Sequence, residues 1–419
     1  MTTASSPAPA RDDTLDALLS AVSADRMTAT VKALAGDDFA GRRVGTSGGR
    51  AARTWLAARL VDLGATVEID PFSVRRVPEV YATPKVRWHD GTTTEALRFG
   101  REVAVHLGSA DLADVRHEPL GIAGTDGPIG RWLVVPAGMT LFDAYGHADG
   151  AAGLLLPRGV DADGWQYTML AGPDPGPLPI LTLSTTTHRL IGEAASSGNS
   201  WFAANAPIRR VDVTGANLHG RLRLPAPGGV DLLLTAHFDG VGDHPGLRQP
   251  AAADNASGVA VVLEAARILV GVLPEGVGLS VALLDGEEVG ALGSAHHAAT
   301  LKATGARPLV INVDGAGHLH QAAGVEAGGP AHALLAVLDQ AGRHTGVPLV
   351  AGLVASDNRR YAAAGLAAVG IGAGMAGYHS PADTPERVEP PTLTAIAQLV
   401  AATVWLGTAP TTLSSLIGD

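Results

Sequence analysis

From Val211 onward, short apolar runs alternate with longer segments of helical periodicity, and this alternation limits the fold more than any other feature of the 419-residue chain. Strands are predicted at Leu232–Ala236, Leu279–Leu284, Leu309–Val313 and Ala367–Gly372, and helices at Ser257–Val270, Ala331–Thr345, Asn358–Ala364 and Leu393–Leu406. Strands that alternate with helices build a mostly parallel sheet covered on both faces. The expected class is therefore α/β, a mostly parallel mixed sheet flanked by helices. Upstream, helical spacing at Leu15–Val22, Arg26–Leu34 and Gly45–Leu63 leads into a strand at Ala65–Ile69.

Between Thr83 and Asn205 the pattern changes. Short runs such as Trp132–Val135, Gly153–Leu156 and Pro179–Leu183 alternate with Gly, Pro and Asp turns, and helical spacing is clear only at His188–Ala195. This reads as a strand-rich insert. The expected organisation is a tail at 1–11, one domain formed by 12–82 and 206–419, and an insert at 83–205.

Composition excludes several classes. With no cysteine, neither a disulfide framework nor a thiolate metal site is available. A net charge of -11 argues against a nucleic-acid partner, because phosphate binding needs a basic surface. No apolar stretch reaches membrane-spanning length, and Met1–Arg11 lacks the pattern of a signal peptide, so a cytoplasmic location is expected.

The polar residues worth attention fall at strand ends. His237 and Asp239 follow the first of the four strands, Glu287 and Glu288 follow the second, Asp314 ends the third and His379 follows the fourth. Asp254 precedes the helix at Ser257. In an open parallel sheet, that edge is where ligands bind. Several carboxylates crowded there would repel one another, and a pair of divalent cations would neutralise them. With only nitrogen and oxygen donors, zinc is the expected metal, with manganese or cobalt as substitutes. Ions about 3.5–4 Å apart require a bridging carboxylate, and Asp254 is the candidate.

These residues resemble the co-catalytic di-zinc aminopeptidase family that includes bacterial leucine-type aminopeptidases, aminopeptidase Y and glutamate carboxypeptidase II. The matching pieces are His237-Phe238-Asp239, Ala253-Asp254-Asn255-Ala256-Ser257-Gly258, Gly286-Glu287-Glu288-Val289-Gly290, Asn312-Val313-Asp314 and Tyr378-His379-Ser380-Pro381-Ala382-Asp383-Thr384. The likeness covers roughly 1–75 and 206–419. It implies a zinc peptidase fold of the phosphorylase/hydrolase-like kind, acting on a peptide or small amide. One zinc would take His237, Asp254 and Asp314, and the other Asp254, Glu288 and His379. Glu287 would be the general base for the water, and Tyr378 would donate a hydrogen bond to the oxyanion. Asp239 would orient His237, and Asp383 would orient His379.

Within the insert, Gly130–Pro136, His147–Leu156 and Leu178–Ser184 resemble the protease-associated domain that several members of that family carry. Two other readings stand beside the aminopeptidase: a related di-metal amidohydrolase or deacylase, and a metal-free scaffold on the same fold. His296-His297 reads as helix surface.

Overall fold

The computed structural model describes residues 11–409. The expected tail lies outside the described residues except for Arg11, which opens helix α1 (Arg11–Ser20). Helices α2 (Ala24–Leu34) and α3 (Ser47–Asp62) come next and lead into a long strand, β1 (Thr66–Val80). The chain then enters a second sheet, with β2 (Val86–His89), β3 (Thr94–Ala96), β4 (Val103–Val105), β5 (Leu112–Ile122), β6 (Trp132–Val134), β7 (Gly153–Arg158), β8 (Ile180–Ser184) and β9 (Trp201–Ala206). Helices α4 (Leu141–Gly146) and α5 (Thr185–Ser197) belong to this region. The first sheet resumes with β10 (Ile208–Arg223), β11 (Asp231–His237), β12 (Gly278–Leu284), β13 (Leu309–Val313), β14 (Ala323–Gly328), β15 (Leu349–Ala351) and β16 (Ala368–Gly372). Its helices are α6 (Gly258–Leu269), α7 (Leu292–Thr304), α8 (His332–Thr345), α9 (Asn358–Ala363) and α10 (Pro390–Gly407).

The first sheet is eight-stranded, in the order β1-β10-β12-β11-β13-β16-β14-β15. Its centre, β12-β11-β13-β16, is parallel, whereas β10 on β12 and β14 on β16 run antiparallel. Central strands are mostly apolar and almost wholly buried because both faces are covered; the few polar residues within them, Thr235, Ser280 and Asn312, are buried too. Leu232 and Leu234 of β11 join the core built with α6 and α10, while Leu233 joins Leu301 of α7 and Tyr361 of α9 on the other face. All seven residues of β12 are buried.

The strand predicted at Ala65–Ile69 is instead fifteen residues long and pairs with β10 from Thr66↔Arg221 to Val80↔Ile208. Much of this ribbon lies outside the main core, so its side chains lack the strict alternation that marks a half-buried strand. A register shift between Val74 and Val77 further interrupts the period, and Arg76 there takes a φ of 59°. The ribbon matters because both crossings to the second sheet occur at its Val80/Ile208 end. The second sheet has its own core, around Trp132, Phe202, Leu155 and Leu183. No helix among the described residues is long and apolar enough to cross a membrane.

Candidate metal centre

The parallel strands deliver their carboxyl ends to one rim. His237 is the last residue of β11, and Asp239, two residues on, holds its ring: Nδ1 lies 3.2 Å from the Asp239 carbonyl oxygen and 3.6 Å from Asp239 Oδ1. That leaves Nε2 turned toward two carboxylates, 3.3 Å from Asp254 Oδ1 and 3.3 Å from Asp314 Oδ1. His379 mirrors it. Its Nε2 lies 3.1 Å from Asp254 Oδ2 and 2.9 Å from Glu288 Oε2. The two oxygens of Asp254 thus face different histidines.

Two groups of three potential donors result, His237–Asp254–Asp314 and Asp254–Glu288–His379, each with its donor atoms within 4.8 Å of one another and all side chains buried. The donor set suits divalent cations. Three carboxylates converge on two imidazoles, none of the five donors is a sulfur, and Glu288 Oε1 is buried without a hydrogen-bond partner. Buried carboxylates in such a cluster require neutralising charge.

Local sequence explains how Asp254 is held. The segment Ala253–Gly258 is tied to the end of β13 by two side chains. Asn255 donates from Nδ2 to the Val313 carbonyl at 2.9 Å, and its Oδ1 accepts from the amides of Gly258 and Gly315, both at 3.0 Å. The Ser257 hydroxyl donates to the Ala253 carbonyl at 2.6 Å and accepts from the Ala316 amide at 2.7 Å. The Asp254–Asn255 peptide is cis. Asn255 and Ser257 stand in the sequence motif around Asp254, yet the motif alone assigned neither of them this role.

Asp239 and Asp383 act more through backbone than their places in the sequence suggest. The Asp239 carboxylate accepts from the amides of Glu287 and Glu288, at 3.0 and 3.3 Å, and so fixes the loop that carries both glutamates. Asp383 was expected to orient His379. It instead accepts from the amides of Ala253 and Asp254, at 2.6 and 3.1 Å. The ring of His379 finds another partner, because its Nδ1 lies 3.3 Å from Met169 Sδ in the second-sheet region.

Arg42 is a residue of the site that sequence reasoning missed. It is wholly buried and donates to four backbone carbonyls, those of Phe238 (2.7 Å), Leu34 (2.6 Å), Pro250 (3.0 Å) and Ala251 (2.6 Å). Burial lowers its pKa to about 10, against the opposing pull of Asp383, Asp239, Asp254 and Glu288. It therefore pins the loop between β11 and Asp254 and places a positive charge behind the acidic rim.

The cluster shifts its own titrations. Burial raises the Glu287 carboxyl well above the usual range; His237 opposes the rise, while Asp357, Asp314 and Glu288 add to it. Burial likewise raises Glu288. Asp254 moves the other way, because hydrogen bonds from His237 and His379 outweigh the effect of burial. Asp357, fully enclosed behind the rim, is pushed up to about 7, mainly by burial. Tyr378 stacks on the His379 ring at 3.8 Å between centroids, and burial followed by the nearby carboxylates raises its pKa, so its hydroxyl stays protonated. His318 lies apart from the two triads and pairs with Glu389 at 2.6 Å.

Residues 217–404 match the model of Peptidase family M28. Over this segment the chain is similar to the M28 peptidases. All five histidines and carboxylates of the two triads fall inside the matched segment. The fold extends over more of the chain than the family match does. An aminopeptidase from Aneurinibacillus sp. strain AM-1 superimposes with a TM-score of 0.69 at 19% identity, covering 93% of this chain and 94% of that one. The zinc aminopeptidase BSAP from Bacillus subtilis gives 0.69 at 19% identity, with 92% and 95% covered. A Peptidase M28 precursor from Shewanella amazonensis SB2B gives 0.69 at 19% identity, with 95% and 96% covered. No curated protein sequence matches the chain.

Proposed function

We propose that this chain is a two-zinc aminopeptidase. The observation that carries the reading is the pair of buried triads sharing Asp254, in a segment that matches the M28 peptidases and in a fold shared with a protein described as a zinc aminopeptidase. His237, Asp254 and Asp314 would hold one ion, and Asp254, Glu288 and His379 the other. Bound zinc supplies Lewis-acid polarisation of the scissile carbonyl and acidifies water.

The chain's own groups do the rest. Glu287 stands on the loop beside the triads without being a member of either, and its raised pKa suits a carboxylate that takes a proton from water and passes it to the leaving amine. Tyr378 keeps its proton and can donate to the oxyanion of the tetrahedral intermediate. The acidic rim suits a substrate's free α-ammonium group. The second sheet, a protease-associated-like insert in this reading, would border the cleft.

Zinc analysis of protein purified without added metal, together with assays on aminoacyl and N-acylated anilides, tests the proposal. We expect two zinc equivalents, cleavage of the free-amine substrates and loss of activity on chelation. Glu287→Gln should keep both equivalents while kcat falls about 10²–10⁴-fold. A chain that binds no zinc, or one that cleaves only the N-acylated substrates, would refute the aminopeptidase reading.

A further inference from the structure

Between β7 and β8 the chain runs from 159 to 179 without a helix or strand. A stretch this long without regular structure in a compact chain is usually there for a purpose. Here it leaves the second sheet and docks on the segment that carries His379. The Thr168 amide donates to the His379 carbonyl at 2.8 Å. The Met169 thioether lies 3.3 Å from His379 Nδ1. The Ser380 hydroxyl donates to Asp161 Oδ2 at 2.9 Å. Arg387 makes two parallel contacts with the Asp163 carboxylate, at 2.5 and 2.6 Å. Gln249 Nε2, from the loop ahead of Asp254, donates to the Thr168 hydroxyl at 2.7 Å.

Asp254 is shared, but the two ligands peculiar to the other half, His237 and Asp314, are held from elsewhere. His237 is oriented by Asp239, two residues away, and Asp314 by the β13–β16 pairing, through its amide on the Ile371 carbonyl at 2.9 Å. Both devices lie within the first sheet and its loops. The acceptors differ in strength as well. A histidine that ligates through Nε2 keeps its proton on Nδ1, and a carbonyl or carboxylate is the usual partner for that proton. His237 has such a partner, whereas His379 has a thioether, a weak acceptor. His379 also takes a φ of 52°, a conformation that L-residues hold only when their surroundings impose it.

We infer that the 159–179 strap of the second sheet is part of the metal centre: Met169 and the Asp163–Arg387 pair are positioning residues that set His379, so that the two ions are bound unequally and only the one at Asp254, Glu288 and His379 depends on the strap. The inference rests on the two-metal reading. It gives the second sheet a direct part in assembling the centre, beyond bordering the cleft. It also makes strap docking and occupancy of that one position mutually dependent, since whatever orders His379 for the ion is ordered by the ion in return.

Competition of the protein against a chromophoric zinc chelator measures the two equivalents separately from activity. In the unaltered chain two should appear. Met169→Ala should weaken one by about 10–100-fold, the usual effect of removing a group that orients a ligand, and leave the other unchanged. In a His237→Ala background Met169→Ala should still weaken the remaining ion, and in a His379→Ala background it should do nothing. Asp163→Arg should weaken the same equivalent, and the exchange Asp163→Arg with Arg387→Asp should restore it, which a variant that merely misfolds would not do. Equal loss at both positions, no loss at either, or failure of the exchange to restore binding would overturn the inference while leaving the two-metal reading intact. Absence of zinc from the unaltered chain would overturn that reading, and this one with it.

Discussion

His297 is 3% exposed on α7, with Nδ1 2.8 Å from the Tyr361 hydroxyl of α9 and its ring edge-on to His219 of β10 at 5.1 Å. Its Nε2 has no partner. Burial lowers its pKa to about 3, and His219 and His296 push the same way. His296 is itself tied to Asp70 of β1 at 2.9 Å. The unfolded chain thus takes up a proton near pH 6.5 that the folded chain refuses until about pH 3. Folding is unpenalised by this group above pH 6.5 and loses about 1.4 kcal/mol for each pH unit below it. Urea unfolding of zinc-free protein should therefore show a shallower acid limb in His297→Gln, by about one proton between pH 6 and 4; an unchanged limb would refute the assignment. The pair His296-His297 was expected on the helix surface, and for His297 the structure overturns that expectation. The signal was present but faint, since His297 sits four residues from both Gly293 and Leu301, all three buried, in a helix too rich in small residues to show a contrasting face. Arg42 gave no signal at all. Nothing in Gly41-Arg42-Arg43 marks one arginine as enclosed, because its partners are main-chain carbonyls from Leu34, Phe238, Pro250 and Ala251.

Elements were legible where one physical rule governed them. The central strands are covered on both faces, so each reads as a mostly apolar run, and the polar residues at or beyond its end stand out. That is why the ends of β11, β12, β13 and β16 could be named from sequence, and why the folded chain brings His237, Glu288, Asp314 and His379 to one place. The ribbon of β1 and β10 and the short strand β15 at the sheet edge lack that enclosure and were misjudged or missed. Gly258 at the start of α6 shows two rules in opposition. Replacing glycine by alanine in a helix gains about 1 kcal/mol of propensity. A Cβ at Gly258, however, would stand 2.2 Å from Asn255 Oδ1 and 2.6 Å from the Val313 carbonyl oxygen. Both atoms belong to the clamp that holds Asp254, so neither can withdraw freely, and overpacking of this kind costs about 1–3 kcal/mol. The steric cost should win. Gly258→Ala is expected to lower the melting temperature and weaken zinc binding together; a variant more stable than the parent would show that the clamp yields.

The two sheets join in a way that allows them to be separated. The largest core draws its residues from the helices and strands on either side of 86–206 and none from within it, while the second core lies between Val86 and Ile208. The chain leaves and re-enters the first sheet at Val80 and Ile208, which are paired neighbours on antiparallel strands. Two such residues can be joined by a two-residue turn of the Asn-Gly type. A chain in which Asn-Gly replaces residues 81–207 loses the second sheet with the apolar clusters on its two faces but no residue of either triad, so it should still melt cooperatively. Its metal binding should be lopsided. His237 and Asp314 keep the groups that orient them and Asp254 keeps its Asn255 and Ser257 clamp, whereas His379 loses Thr168 and Met169, and Ser380 and Arg387 lose Asp161 and Asp163. One equivalent should bind as tightly as in the full chain and the other about 10–100-fold more weakly, with peptidase activity recovered only at raised zinc. If the shortened chain instead bound both ions as the full chain does, the second sheet would have no part in building the centre, whatever it does for substrates.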